Sequence, residues 1–138
     1  MATGIITKQT DLHVLDATLG LFVPSNWYLG LYQNDLTPDR DTVFADVEEP
    51  TDPAYVFAEI FPTDWTLVEE TAGWYAKLEA RTFLFDLGAT IHGWYLSTFS
   101  VEVGNILLGI ARFDEPIILP STGGAIPLTI TQWRVTGD

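Results

Sequence analysis

The sequence predicts a mainly β protein: an antiparallel β-sandwich, jelly-roll-like, with one short N-terminal helix. Three observations carry this. Beyond residue 62, short stretches alternate apolar and polar residues. Turn signals separate them at intervals of roughly 8–12 residues, the spacing of sandwiches and related all-β folds. And 138 residues, 47% hydrophobic and 13% aromatic, suffice for one interior core in one domain.

The elements follow in chain order. Residues 1–9 carry no strong pattern and are expected to form an N-terminal arm, or to be disordered, ahead of a single sandwich domain over 10–138. Thr10 to Gly20 reads as the helix: Thr10 or Asp11 can cap it, Leu12, Leu15 and Leu19 share a face, and Gly20 stops it. Pro24-Ser25-Asn26 makes a turn. Trp27 to Gln33 reads as a strand that Asn34-Asp35 ends. Leu36 to Pro62 is irregular and holds Pro38, Pro50, Pro53 and Pro62, with a short helical turn expected within Thr42 to Val47. A connection this long in a compact domain is expected to be functional or packed as an ordered excursion.

Trp65 to Glu69 and Trp74 to Asp86 flank Thr71-Ala72-Gly73 and suit a hairpin. In the second strand Ala76, Leu78, Ala80, Thr82 and Leu84 are expected on one face, with Tyr75, Lys77, Glu79 and Arg81 on the other. Ile91 to Val103 and Ile106 to Phe113 flank Gly104-Asn105, which reads as a two-residue hairpin loop. Pro116 to Pro120 is an edge candidate, because proline cannot donate to a ladder. Ser121 to Gly124 is a turn. Ile126 to Val135 closes the chain, with Leu128 and Ile130 opposite Thr129 and Thr131.

Charge narrows the partners. Nineteen acidic residues against 6 basic ones give a formal charge of −13, which repels phosphate backbones and anionic lipid. Neither nucleic acid nor membrane is expected. No cysteine is present, so disulfides, thiolate metal sites and cysteine nucleophiles are excluded. Met1 to Thr10 lacks the charged-then-apolar pattern of a signal peptide, so cytosolic synthesis is expected.

The residues with chemical potential are few. His13 and His92 lack a third ligand at any local spacing. Ser25, Ser97, Ser100 and Ser121 lack the Gly-x-Ser-x-Gly setting of an exposed nucleophile, and Gly123-Gly124 is followed by no lysine. Asp35, Asp39, Asp41, Asp46, Glu48, Glu49 and Asp52 crowd one segment, but without the spacing or the glycine of a calcium loop. A solvated acidic loop is the favoured reading. No enzyme activity, cofactor or metal is expected.

Aromatic residues are abundant. Trp27-Tyr28, Trp74-Tyr75 and Trp94-Tyr95 are adjacent pairs, so in a strand one ring of each points inward and its neighbour outward. These six, with Tyr32, are the candidate subunit or partner contacts. Burial in a core or subunit interface is favoured over stacking on carbohydrate.

The run Leu29-Gly30-Leu31-Tyr32-Gln33-Asn34-Asp35-Leu36-Thr37-Pro38 resembles a motif of small virion structural proteins of tailed bacteriophages. There a short N-terminal helix precedes a strand ending in an aromatic residue, then Thr-Asn-Asp and Thr-Pro. Further matches follow in order: Thr42, Asp46-Val47, Glu49, Tyr55, Trp65, Gly93-Trp94-Tyr95 and Ala111-Arg112-Phe113. Together they span most of the chain. Gln33 departs from the usual threonine, and Pro53-Ala54-Tyr55 stands where a Gly-Tyr pair is typical. The family carries no catalytic motif to transfer. The resemblance implies a capsid cement or decoration protein on the virion surface, bound across subunits of the major capsid protein as a homo-oligomer. A trimer suits the local three-fold positions of a capsid. The alternative is a tail- or fibre-associated module that binds host-surface carbohydrate.

Overall fold

A computed structural model describes residues 5–8, 27–71, 73–100 and 104–133. Two antiparallel sheets pack face to face as a β-sandwich. The larger sheet has the order β1-β7-β6-β2-β3, and the smaller has the order β4-β5-β8. The strands are β1 (Ile5–Ile6), β2 (Trp27–Tyr32), β3 (Ala58–Ile60), β4 (Trp65–Glu70), β5 (Gly73–Phe85), β6 (Ala89–Ser100), β7 (Gly104–Leu119) and β8 (Gly124–Trp133). The helix expected over 10–20, His13 and the turn at 24–26 lie outside the described residues.

The core lies between the sheets. Leu29 and Leu31 of β2, Trp94 and Leu96 of β6, and Ile106 and Leu108 of β7 meet Leu78, Phe83 and Phe85 of β5 and Ile126, Leu128 and Ile130 of β8. All are buried, and a side chain of this kind contributes about 1.5–3 kcal/mol when fully withdrawn from water.

The alternation expected along β5 holds only to Leu78. Beyond it Phe83 and Phe85 are buried, while Leu84 is 58% exposed. The cause is a bulge. From Leu78 to Arg81 β5 advances three residues while β8 advances two, from Ile130 to Leu128. One extra residue inverts every side chain after it, because the strand period is two. A compensating irregularity lies just before it: Ala76 to Leu78 spans two residues opposite three on β8. The register is thereby restored for the rest of the pair.

Two other expectations shift. Gly104 and Asn105 are not the hairpin loop; they belong to β7 and pair with Ser100 and Phe99. Residues 101–103 lie outside the described residues, and Gly104 opens β7 with a positive φ (80°). Pro116 to Leu119 is not a separate strand but the end of β7. Between Arg112 and Ile117, β7 runs five residues against two of β6. Pro116, which has no N–H, sits in that break. The expected helical turn is present as a 3-10 turn over Phe44–Asp46.

The expected arm lies on its own sheet where it is described. Ile5 and Ile6 pair with Ile110 and Gly109 of β7, and Thr7 is buried with its hydroxyl donating to the Leu107 carbonyl.

The bulge yields a direct test by chemical denaturation. Phe83→Ala should cost about 3–5 kcal/mol, whereas Leu84→Ala should stay within about 0.5–1 kcal/mol. The uninterrupted alternation would reverse that order.

Candidate functional site on the outer face of the larger sheet

Part of the resembling set, Gly30, Tyr32, Gly93 and Tyr95, falls on the face of the five-stranded sheet turned away from the core, whereas Leu29, Leu31, Trp94 and Ala111 face the core and Trp65 belongs to β4 of the smaller sheet. Gly30 of β2 pairs across the ladder with Tyr95 of β6, and Tyr32 of β2 pairs with Gly93 of β6. Two Gly-x-Tyr runs in antiparallel strands thus place each glycine under the other strand's ring. A methyl group on Gly30 would collide with the Tyr95 ring, and one on Gly93 with the Tyr32 ring and the Ala111 carbonyl. Both rings lie against bare backbone and are fully buried. Such cross-strand pairs cover glycine backbone that has no side chain of its own to pack.

The irregular segment 33–57 lies over these rings as a strap. Phe44 meets Tyr95 edge-on (5.7 Å, 83°), and Leu36, Val47 and Ile5 pack around Tyr32, Tyr95, Leu107 and Ile110. The connection is therefore an ordered excursion that gives the sandwich a partial third layer.

Polar contacts fasten the strap along its length. The Gln33 N–H donates to the Glu48 carbonyl (2.9 Å), and the Gln33 side-chain amide to the Glu48 carboxylate (2.7 Å). Asn34 donates its amide to the Asp46 carbonyl (2.9 Å) and accepts from the Glu48 N–H (3.1 Å). His92 Nδ1 lies 2.8 Å from the Gln33 carbonyl; a carbonyl only accepts, so that nitrogen carries the proton. Arg112 donates to the Leu36 carbonyl (2.9 Å) and pairs with the Asp35 carboxylate.

At the centre sits Glu49. Its carboxylate accepts from the hydroxyls of Tyr95 and Tyr55, the latter at 3.3 Å. The Tyr55 hydroxyl in turn accepts the Leu31 N–H (2.9 Å). Leu31 lies beyond the last β3 residue paired to β2, so the phenol takes the place of a ladder carbonyl. The Tyr55 ring reaches on to Phe83 and Phe85 of the opposite sheet, with centroids 6.0 and 5.7 Å away. One side chain thereby ties strap, larger sheet and core together.

Three of the acidic residues, Asp39, Asp46 and Asp52, form turns. Asp39 accepts the Asp41 N–H (2.8 Å), while its own N–H donates to the Thr42 hydroxyl (2.9 Å). Asp46 accepts the Val43 N–H (2.9 Å) at the start of the 3-10 turn. Asp41 pairs with Lys8. Asp52 accepts the N–H groups of Ala54 (2.9 Å), Asp86 (3.0 Å) and Leu87 (2.8 Å), pinning the strap to the β5–β6 turn. Desolvation pushes the Asp52 pKa up, but the Asp86, Ala54 and Leu87 donors outweigh it and hold the carboxyl below its usual value. Pro53 takes the second position of this turn, where its fixed φ fits. Among the described residues no three His, Cys, Asp or Glu side chains converge as a metal would require.

The seven aromatic candidates divide by depth. In each adjacent pair tryptophan lies on the core-facing side and tyrosine on the other. Trp94 is buried between the sheets, and Tyr32 and Tyr95 under the strap. These three have no area left to offer a partner. Trp27 is half-buried, edge-on to Trp65 (5.8 Å), and Tyr28 edge-on to exposed Phe57 (5.2 Å). Tyr75 is half-buried, and Trp74 is 59% exposed. Reading the sequence missed the exposed Leu67, Phe57 and Phe99, which isolated hydropathy does not separate from core residues. The mirrored Gly-x-Tyr runs were the available signal for the strap.

No protein-family model matches the chain, and no curated protein matches it in sequence.

Two outcomes follow from the buried rings. Gly93→Ala should lower stability by more than about 2 kcal/mol in denaturant titrations, because the carbonyl it meets is backbone and cannot swing aside. Desolvation by burial, with smaller electrostatic effects, raises the pKa of Tyr32 to about 12 and pushes Tyr55 and Tyr95 up as well. An unfolded tyrosine ionises near about 10. The stabilisation from the neutral phenols is therefore complete below that pH and declines as pH climbs through the native values. Tyrosinate absorbance should show these three ionising only as the fold opens.

Proposed function

We propose that this chain is a structural protein of a tailed-bacteriophage particle. It would be a capsid cement or decoration protein that lies across subunits of the major capsid protein on the virion surface. One observation carries the reading: of the short matches between Leu29 and Phe113, Tyr32, Asn34, Glu49, Tyr55, Tyr95 and Arg112 join in one connected layer of sheet and strap, and Leu29, Leu31, Trp94 and Ala111 lie in the core beneath it. Residues that hold a fold together are what a family of rigid building units would share. The jelly-roll-like closure belongs to the same proposal, since the chain passes between the sheets at β3–β4, β5–β6 and β7–β8. So does assembly as a homo-oligomer, with a trimer matching local three-fold positions. The charge of −13 supports a partner other than nucleic acid or anionic membrane.

A tail- or fibre-associated carbohydrate-binding module is the second reading, favoured by one observation. Trp74 is 59% exposed and pairs across the hairpin with Glu69, which places a ring face beside a hydrogen-bonding acid. Loss of glycan binding in folded Trp74→Ala would support it.

The two readings part on copy number. Quantitative mass spectrometry of purified particles should find this chain in proportion to the major capsid protein. A few copies per particle would remove the decoration reading.

A further inference from the structure

The strap is held over Tyr32 and Tyr95 from more than one side, and the N-terminal strand is one of its holders. Leu36, Phe44 and Val47 of the strap and Ile5 of β1 pack against the same four buried residues, Tyr32, Tyr95, Leu107 and Ile110. The Lys8 N–H donates to the Arg40 carbonyl (3.0 Å), and the Lys8 ammonium pairs with the Asp41 carboxylate. Strand β1 joins β7 through only two residues, too short a ladder to hold without cover. Strap and strand thus shelter one apolar cluster between them, and lifting either one wets it.

The strap's fastenings are uneven along its length. Between residues 34 and 48 it relies on Leu36, Phe44 and Val47, all only half-buried, and on polar contacts near the surface. Its C-terminal end is held differently. Asp52 accepts two N–H groups from the β5–β6 turn, and the Tyr55 ring lies against Phe83 and Phe85 of the core while its hydroxyl accepts the Leu31 N–H. Local opening takes first the region with the least buried apolar surface.

We propose that residues 5–8 and 34–48 open and close as one unit, with the N-terminal strand as the latch, while the sandwich and the Asp52–Tyr55 anchor stay in place. The strap swings about its anchored end, and opening uncovers the Tyr32 and Tyr95 rings. The latch acts far along the chain. Lys8 is tied to Arg40, and the strap carries that hold to the hydrogen bonds of Glu48 with Gln33 and Asn34. Any contact that draws residues 5–8 off β7 releases the strap. This is an order–disorder device, and it is independent of where the protein works.

Hydrogen exchange on the full chain, at guanidinium concentrations below the unfolding transition, tests this. The Lys8, Gln33 and Glu48 amides each bridge two segments. They should share one opening free energy, lower than that of the β6 and β7 amides in the core. Ile5→Ala should speed exchange at Gln33 and Glu48 about tenfold, and Lys8→Ala, at an exposed ion pair, about two- to threefold. The Leu31 amide, held by the anchored Tyr55, should not respond to either variant. Ile118→Ala, exposed near the far end of β7, should leave all of these amides unchanged. Lys8 opening with a free energy different from that of Gln33 and Glu48, indifference of those two amides to both N-terminal variants, or release of all three only with the whole sandwich would overturn the proposal.

Discussion

The close approach of two tyrosine rings to two glycines, across one pair of strands, is the constraint on which the outer half of this molecule depends. Only glycine leaves room for Tyr95 over Gly30 and for Tyr32 over Gly93. With the rings flat on the backbone, the outer face of the larger sheet becomes a smooth apolar platform instead of a row of side chains. Phe44, Leu36 and Val47 can then lie down on it. A side chain at either glycine would lift a ring and remove the surface the strap rests on.

The strap faces a problem common to irregular chain near a core: its backbone donors need acceptors. Carboxylates solve it, because each offers two oxygens with several lone pairs. Asp39, Asp46 and Asp52 accept neighbouring N–H groups, and Glu49 accepts two phenols. The acidity that looks from composition like a solvated charge cluster is in large part local architecture. Its by-product is a strongly negative chain, which favours solubility and shapes which surfaces it can approach.

The two sheets are unequal in length as well as in strand number. The larger one is capped by the strap on its outer face, whereas in the smaller, among the described residues, β8 pairs with β5 no further than Ala76, and Leu67 and Trp74 are exposed.

Periodicity and composition by themselves determined the mainly β class, the positions of β2, of the β4–β5 hairpin and of β8, and the short turn before Val47. Each depends on neighbours a few residues apart, so local pattern suffices. The opposite directions of the two rings in each adjacent pair are local in the same sense, but which ring faces the core was decided by packing. Tertiary structure decided the rest. The phase of Phe83 and Phe85 was set by a bulge that exists only in pairing with β8. The burial of Tyr32 and Tyr95 depended on chain brought over them from residues 36–47. The roles of Glu49 and Tyr55 rested on partners up to 46 residues away. Alternation along a strand says which residues share a face, but only the packing of distant segments says whether that face meets core, strap or water.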